Sequence, residues 1–400
     1  MKRDSYRMGR RDFVAASARF GGALGAVSTF GCWPRSNGAG DDVAPWDTPL
    51  AVEPAQESLR ILILGGTRFI GPHQVRYAVE RGHGVSIFTR GITQPGFFHD
   101  YFENHVEHLI GDRIDDLSAL ESGEWDAVID NSASIPGWVR SSARLLRPRA
   151  SRYLFVSSIS AYRDFQQVGI TEDYPLAELD ESSSNEATAA NYGGRKAACE
   201  AAAIESFGDE AIIVRPGLIV GPGDNTDRWT YWPVRIARGG EVAAPNAPAD
   251  PVQNVDARDL SEWMVRMVET PGNGGAFNAT GPEGHLNFGD MLGGIADELD
   301  SDARFTWLPL QFMEENGIRA WGHMTNWVPP EGDSVGLLTV SNAAAVAAGL
   351  TFRPLAQTAR HTLEWWNTLP EARRAEQRAG LPANLEEDAL RIWRESGQAG

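Results

Sequence analysis

Lysine is almost absent from this chain of 400 residues: Lys2 and Lys196 are the only two, and arginine supplies the rest of the positive charge. Cysteine is as scarce, with Cys32 and Cys199 alone. Cys32 falls in what reads as a removable leader, so no disulfide is expected in the mature protein. No run of about 18 apolar residues occurs, and no transmembrane helix is predicted beyond the leader. Positive charge is in deficit overall, with 36 Lys and Arg against 54 Asp and Glu and a formal net charge of −18. Such a surface repels phosphate backbones, so no nucleic-acid partner is expected. His99, His105 and His108 lie near one another but match no metal spacing, and no metal site is predicted.

What is present is an apolar fraction of 42%, enough for a substantial core in one large domain or two. The chain opens with basic residues, including Arg10-Arg11 followed by Asp12, Phe13 and Val14. A weakly apolar, small-residue run then leads to Cys32. This order resembles a twin-arginine export signal over residues 1–32, which implies a periplasmic or otherwise extracytoplasmic protein. Lipid anchoring at Cys32 stays open, although Thr29 and Phe30 fit that motif poorly. If the signal is false, the protein is cytoplasmic. Residues 33–58 read as a linker rich in Pro, Asp, Gly and Ala.

The stretch "LRILILGGTRFIGPHQVRYAVERGHGVSIFTRG" reads as strand, glycine-rich turn, helix and strand. Ile61–Leu64 is continuously apolar, as in a parallel strand buried on both faces. Gly65, Gly66, Thr67, Arg68, Phe69, Ile70 and Gly71 form the turn, and the helix ends near Gly82. This geometry places a pyrophosphate on a helix N-terminus, where backbone N–H groups meet its charge and glycine permits close approach. Two departures matter. Arg68 stands where the pattern has its middle glycine. Thr89-Arg90 stands where an acidic residue would hold the ribose 2′-hydroxyl. A guanidinium there suits a 2′-phosphate, so NADP is favoured over NAD, which stays possible. "HLIGDRIDDL" supplies a third strand and Asp112 for the adenine. "WDAVIDNSAS" supplies a fourth, with Asn131, Ser132 and Ala133 passing the ribose and nicotinamide.

"RYLFVSSISAY" reads as a fifth strand ending in hydroxyl residues. Tyr192 and Lys196 follow at i and i+4, which puts both on one helix face. An ordinary phenol is a poor base at neutral pH, and a nearby ammonium stabilises its phenolate. A serine at the strand end can share the substrate oxygen, making a proton relay beside a hydride acceptor. A compact ammonium is not replaceable by a broad guanidinium. That is the reason one lysine persists here in a chain otherwise built with arginine.

From Leu59 to about Glu364 the chain resembles the extended short-chain dehydrogenase/reductase superfamily, of the NAD-dependent epimerase/dehydratase type. The "GGTRFIG" turn is similar to that of the subgroup containing the chloroplast stem-loop RNA-binding proteins. The resemblance implies an α/β fold: a Rossmann doubly wound parallel sheet at 59–220, a smaller C-terminal α/β substrate lobe at 221–375 with segments returning to the core, and a terminal helix at 376–400. It implies Tyr192 as catalytic acid/base with Lys196 its partner, both touching the cofactor. It selects Ser158, four residues before Tyr162, with Ser157 and Ser160 as the other choices. "RPGLIVGPGD" resembles the segment that passes the nicotinamide, with Pro216 at the cofactor, and "PVQNVDARDL" resembles the return to the core.

On the substrate side, Ser160 and the aromatic-basic cluster Arg228, Trp229, Tyr231, Trp232 and Arg235 are candidates. Of these, Arg228, Trp232 and Arg235 are read as substrate residues; packing of a small lobe is the alternative reading. Trp365, Trp366 and the C-terminal helix are expected to pack. Family dehydratases carry an acidic pair after the catalytic hydroxyl residue, whereas Ile159 and Ser160 follow Ser158 here, which disfavours dehydration. An epimerase or oxidoreductase acting on a secondary alcohol of a sugar-like molecule is expected. The alternative is a non-catalytic nucleotide or RNA binder of the same fold. A homodimer is compatible with either.

Overall fold

A strand with no polar residue at its centre can only be stable where both faces are covered, and Ile61–Leu64 is covered in this way. The structure is a computed structural model in which residues 52–131, 133–179, 188 and 190–397 are described. Arg10, Arg11, Cys32 and Ser132 lie outside the described residues. The first unit runs from strand β1 (Arg60–Leu64) through helix α1 (Ile70–Glu80) to β2 (Gly84–Thr89). Then come β3 (Val106–Ile110), β4 (Trp125–Asp130), helix α2 (Pro136–Leu146), β5 (Ala150–Val156), helix α3 (Tyr192–Phe207) and β6 (Ala211–Pro216). Together with β10 (Gly275–Ala279), these strands form one seven-stranded sheet in the order β10-β6-β5-β4-β1-β2-β3.

Every pairing in that sheet is parallel. Strand order reverses between β1 and β4, and a crevice opens there at the carboxyl ends of the strands. On one face lie α2 and α3, whose Val139, Ala143, Ala202 and Ala203 are fully buried against Leu62 and Val128. Alanine favours the helix and lets α3 approach closely. α1 covers the other face.

After β6 the chain builds a second lobe. β7 (Leu218–Val220) pairs in parallel with β9 (Asn254–Asp256), and β8 (Glu241–Pro245) pairs in parallel with β11 (Arg304–Leu308). Its core holds Trp229, Trp232, Trp327 and Phe288, all fully buried. Between β9 and the lobe's later elements the chain returns to the sheet. α4 (Ala257–Glu269) packs beside α1, with Ser261 Oγ donating to Ile70 O at 3.1 Å. β10 (Gly275–Ala279) becomes the sheet's edge next to β6. The terminal helix Ala383–Glu395 docks on the lobe through Ala389, Leu390 and Trp393. Trp365 and Trp366 are buried as well.

Two glycines hold the first turn together. Gly66 has φ of +101°, a conformation that favours glycine. Gly71 has no such need, but a Cβ there would sit 2.4 Å from the backbone of Gly66. The helix start and the turn therefore touch backbone to backbone. Gly71→Ala is expected to cost about 1–3 kcal/mol in denaturant unfolding. Wild-type stability in that variant would contradict the close-approach account.

Candidate active site

The crevice is a cavity of about 540 Å³. Gly65, Gly66, Thr67, Arg68, Phe69 and Ile70 line it, and so do Arg90, Asp112, Asn131, Tyr192, Lys196 and Pro216. Gly71 stands just behind, against Gly66. No side chain caps the first turn of α1, although Gly71 N already donates to Arg68 O at 2.9 Å and Pro72 has no N–H. By contrast, Asp256 caps α4 by accepting from Arg258 N at 2.8 Å. Phe69, at the N-cap, takes φ of 43° although it is not glycine. Arg68 is exposed and reaches Thr93 Oγ1 at 3.5 Å. Arg90 is exposed at the end of β2 and forms no ion pair among the described residues. Asp112 turns one carboxylate oxygen back on Ile114 N at 2.9 Å. Asn131 exchanges amide hydrogen bonds with Gln74 of α1, one of them at 3.0 Å.

Lys196 is buried at the heart of this wall. Its ammonium donates to Val156 O at 2.8 Å and Ala133 O at 2.9 Å, at the ends of β5 and β4. It also lies 4.8 Å from the centre of the Phe155 ring. Two of its three N–H groups are thus spent, and the third remains for a ligand. Tyr192, one helical turn earlier, is half-buried on the same cavity. Ser157, Ser158 and Ser160 all border it, but their hydroxyls differ. Ser157 Oγ donates to the buried carboxylate of Glu200, whereas Ser158 Oγ only accepts from Ser160 N, at 3.1 Å. Ser158 therefore keeps its own hydrogen to give.

Glu200 continues the Tyr192–Lys196 spacing by one more turn, and that spacing was its only signal in the sequence. Its carboxylate meets the Arg215 guanidinium at 2.8 Å. Arg215 in turn reaches the Tyr162 hydroxyl at 3.1 Å, and Tyr162 donates to Asn278 Oδ1 at 2.7 Å. This fully buried chain fixes the ends of β5, β6 and β10 under the cavity. Arg113 lines the cavity itself, and no motif announced it. It grips the fully buried Asp130 with both arms, one at 2.7 Å. Burial alone would raise the Asp130 carboxyl, yet Arg113 and the Tyr153 hydroxyl hold it below the usual carboxylate range. Arg195 ties the start of α3 down by donating to Asn191 Oδ1 at 2.9 Å and Ser134 O at 3.0 Å. Burial pushes the Cys199 thiol up to about 12, which leaves it an inert packing group.

The aromatic-basic cluster divides. Arg228 and Ser160 line the cavity. Trp232 and Arg235 do not, which corrects the expectation that they meet a substrate. Trp232 is fully buried in the second lobe, with its indole N–H donating to Thr325 O at 2.9 Å. Arg235 is consumed by Glu386 of the terminal helix at 2.6 Å and by the carbonyls of Gly239 and Glu241. Among the described residues no cluster of three His, Cys, Asp or Glu side chains is placed to hold a metal ion. His108 instead bonds Phe102 O at 2.8 Å.

Residues 61–280 match the model of the NAD dependent epimerase/dehydratase family. The chloroplast stem-loop binding protein of 41 kDa b of Arabidopsis thaliana is 29% identical over 228 residues, which are 54% of this chain and 56% of that protein. The chain thus spans little more than half the length of this curated relative. Among solved structures, the Bordetella bronchiseptica enzyme WbmG in complex with NAD and UDP superposes with a TM-score of 0.58 at 16% identity, over 82% of this chain and 100% of that one. The UDP-glucuronic acid 4-epimerase of Bacillus cereus in complex with NAD gives 0.55 at 15% identity, over 76% and 96%. At such identities the solved structures establish the fold.

Behind the glycine turn, His73 of α1 is buried against Phe97 and lies 3.3 Å from Pro222 O. Burial first, and Arg258 second, lower its pKa to about 3, with Asp256 opposing and Arg353 assisting. The unfolded chain binds a proton at this histidine near pH 6.5, and the folded one does not until about pH 3. Stability is therefore complete above the unfolded value and falls as the pH drops below it. Between pH 7 and pH 5 the loss through His73 is about 2 kcal/mol. His73→Gln is expected to remove that part of the slope in denaturant unfolding; an unchanged slope would mean that His73 titrates normally.

Proposed function

Because this chain belongs to the NAD dependent epimerase/dehydratase family, of the extended short-chain dehydrogenase/reductase type, we propose that it is a nicotinamide-dependent epimerase or oxidoreductase acting on a secondary alcohol of a sugar-like molecule. One observation carries the reading: the glycine turn, Ser158, Tyr192, Lys196 and Pro216 border a single cavity at the switch point of the sheet. The residues present fit a dinucleotide. The start of α1, which no side chain caps, and the bare Gly66–Gly71 contact leave room for a pyrophosphate against the backbone of the turn. Arg68 and Arg90, which line the cavity at the turn and at the end of β2, would hold the adenosine end, and the remaining N–H of Lys196 would hold a ribose hydroxyl.

When bound, the nicotinamide supplies a two-electron acceptor and donor. The chain's own part is to bind, orient and move a proton. Tyr192 would exchange the proton of the substrate hydroxyl, and Ser158 would donate to the same oxygen. Arg195, Glu200 and Arg215 would keep both in register with the strand ends. No carboxylate follows Ser158, so elimination of water lacks its acid and base here. Arg90 in place of an acid argues for NADP, a departure from the NAD-bound structural relatives. The Arg10-Arg11 leader supports export, where nicotinamide is not recycled, so a cofactor held through a redox-neutral cycle would suit it.

Mass spectrometry of the nucleotide released from purified protein is expected to find NADP or NADPH. NAD alone would reject the Arg90 argument, and no nucleotide with no measurable binding would reject the whole reading. Tyr192→Phe is expected to lower turnover on a panel of sugars, polyols and nucleotide sugars about a hundredfold or more, with nucleotide content unchanged. The stem-loop binding relative raises a second reading, an RNA binder. The charge of −18 opposes it, and a gel shift with structured RNA at low salt would favour it.

A further inference from the structure

We propose that the segment Gly91–Phe98, fastened by Phe97 to Gly223 of the second lobe, is a strap beside the glycine turn that gates entry and release of the nicotinamide dinucleotide. The inference rests on the nucleotide-dependent reading above and adds which residues would set the rate of cofactor exchange.

The segment leaves the sheet at the end of β2 and finishes against the other lobe. Ile92 and Thr93 line the cavity from the sheet side, and Asn225 and Thr226 line it from the second lobe. Thr93 Oγ1 accepts from Arg68 Nη2 at 3.5 Å, which ties the segment to the glycine turn. Pro95 is buried and fixes the backbone beyond it. Phe97 and Phe98 then turn inward and are buried.

Phe97 makes the crossing. A Cβ on Gly223 would lie 2.9 Å from Phe97 Cε1 and 3.1 Å from Cζ, so the ring rests directly on that glycine's backbone. Phe69 of the glycine turn approaches the same point, with Cδ2 at 3.5 Å. One residue earlier, Pro222 O meets His73 of α1 at 3.3 Å. The Phe97 ring is steadied from its own side by Phe98, edge-on at 4.8 Å, and by the His73 ring at 4.9 Å. Phe98 in turn lies under the Arg76 guanidinium at 4.5 Å. Phe97 does not itself line the cavity, so its partner is the second lobe and not a ligand.

Elsewhere the junction between sheet and second lobe is fastened by ion pairs, Arg353 with Asp259 at 2.6 Å and with Glu262 at 3.2 Å. On the edge beside the glycine turn it is closed by one ring on one glycine. That edge is the one that opens at lower cost. A segment that bars a passage slows traffic both ways, because entry and exit cross the same barrier. A residue that only touched the nucleotide would slow exit alone.

The test is stopped-flow fluorescence on the full chain, using whichever of NADPH and NADH the wild type binds. Association is measured directly, and dissociation by displacement with excess oxidised nucleotide. Phe97→Ala is expected to raise both rates about tenfold or more, with the dissociation constant changed by less than about threefold. Phe97→Leu should fall between, and it decides by the same pair of rates if Phe97→Ala fails to fold. Phe102→Leu lies a few residues on but packs in the core beneath the sheet, so both rates should stay at their wild-type values. Unchanged rates in the Phe97 variants, or faster dissociation alone with weakened affinity, overturn the proposal and leave the enzyme reading standing. Equal acceleration in Phe102→Leu also overturns it. A wild-type protein that binds neither nucleotide rejects both readings.

Discussion

The Lys196 ammonium sits between the carbonyl ends of β4 and β5, and the rest of the site is arranged around that one buried charge. A lone cation out of water is unstable unless its hydrogen bonds are met. Here carbonyl dipoles and an aromatic face meet them in place of a carboxylate. The arrangement demands that β4 and β5 end at the same level and that α3 pass directly above them. It leaves one N–H directed by geometry rather than by competition with a counter-ion. Tyr192 precedes it by one turn and Glu200 follows by one, so fixing Lys196 fixes the whole inward face of α3.

Around that point four arginines are paired with acids, whereas the buried Arg195 is met by Asn191 and the Ser134 carbonyl. Arg215 meets Glu200, Arg113 meets Asp130, Arg258 meets Asp256, and Arg353 meets Asp259 at 2.6 Å. Buried pairs of this kind contribute little net stability, because desolvation offsets attraction, but breaking one leaves an uncompensated charge. Three of these pairs join different segments of the chain, so their consequence is register, whereas Arg258–Asp256 is local to the start of α4. The last two hold β9, α4 and the segment after Leu350 together, which keeps the second lobe seated on the sheet. Arg90 stands apart from this pattern: it is exposed and forms no ion pair among the described residues.

The C-terminal third supplies part of the site although the matched family span stops at residue 280. Trp321, Leu337 and Leu338 line the cavity, and Arg373 and Arg378 brace the loop opposite. The sheet and its glycine turn therefore serve the shared chemistry, while the later segments shape what can enter.

How much of this was legible beforehand follows from which interactions are local. The glycine turn, the first βαβ unit and the Tyr192–Lys196 face depend on neighbours within one or two turns of chain, and residue order alone specified them. Glu200 was legible in principle from the same spacing, but its meaning needed Arg215 from another strand. Trp232 and Arg235 misled because an aromatic-basic run has the same composition whether it packs a lobe or lines a pocket. Arg235 was consumed by Glu386 of the terminal helix, and Trp232 by Thr325 and Phe288 of the second lobe. Arg228, three residues before the helix that carries Arg235, escaped that fate only because the loop turns it toward the crevice. The sequence by itself determined the strand–turn–helix geometry and the shared face of Tyr192 and Lys196, since both are set by backbone sterics and i+4 spacing. Only the tertiary structure decided which arginines are neutralised and which stay available, because a charge's worth depends on the distant groups that surround it.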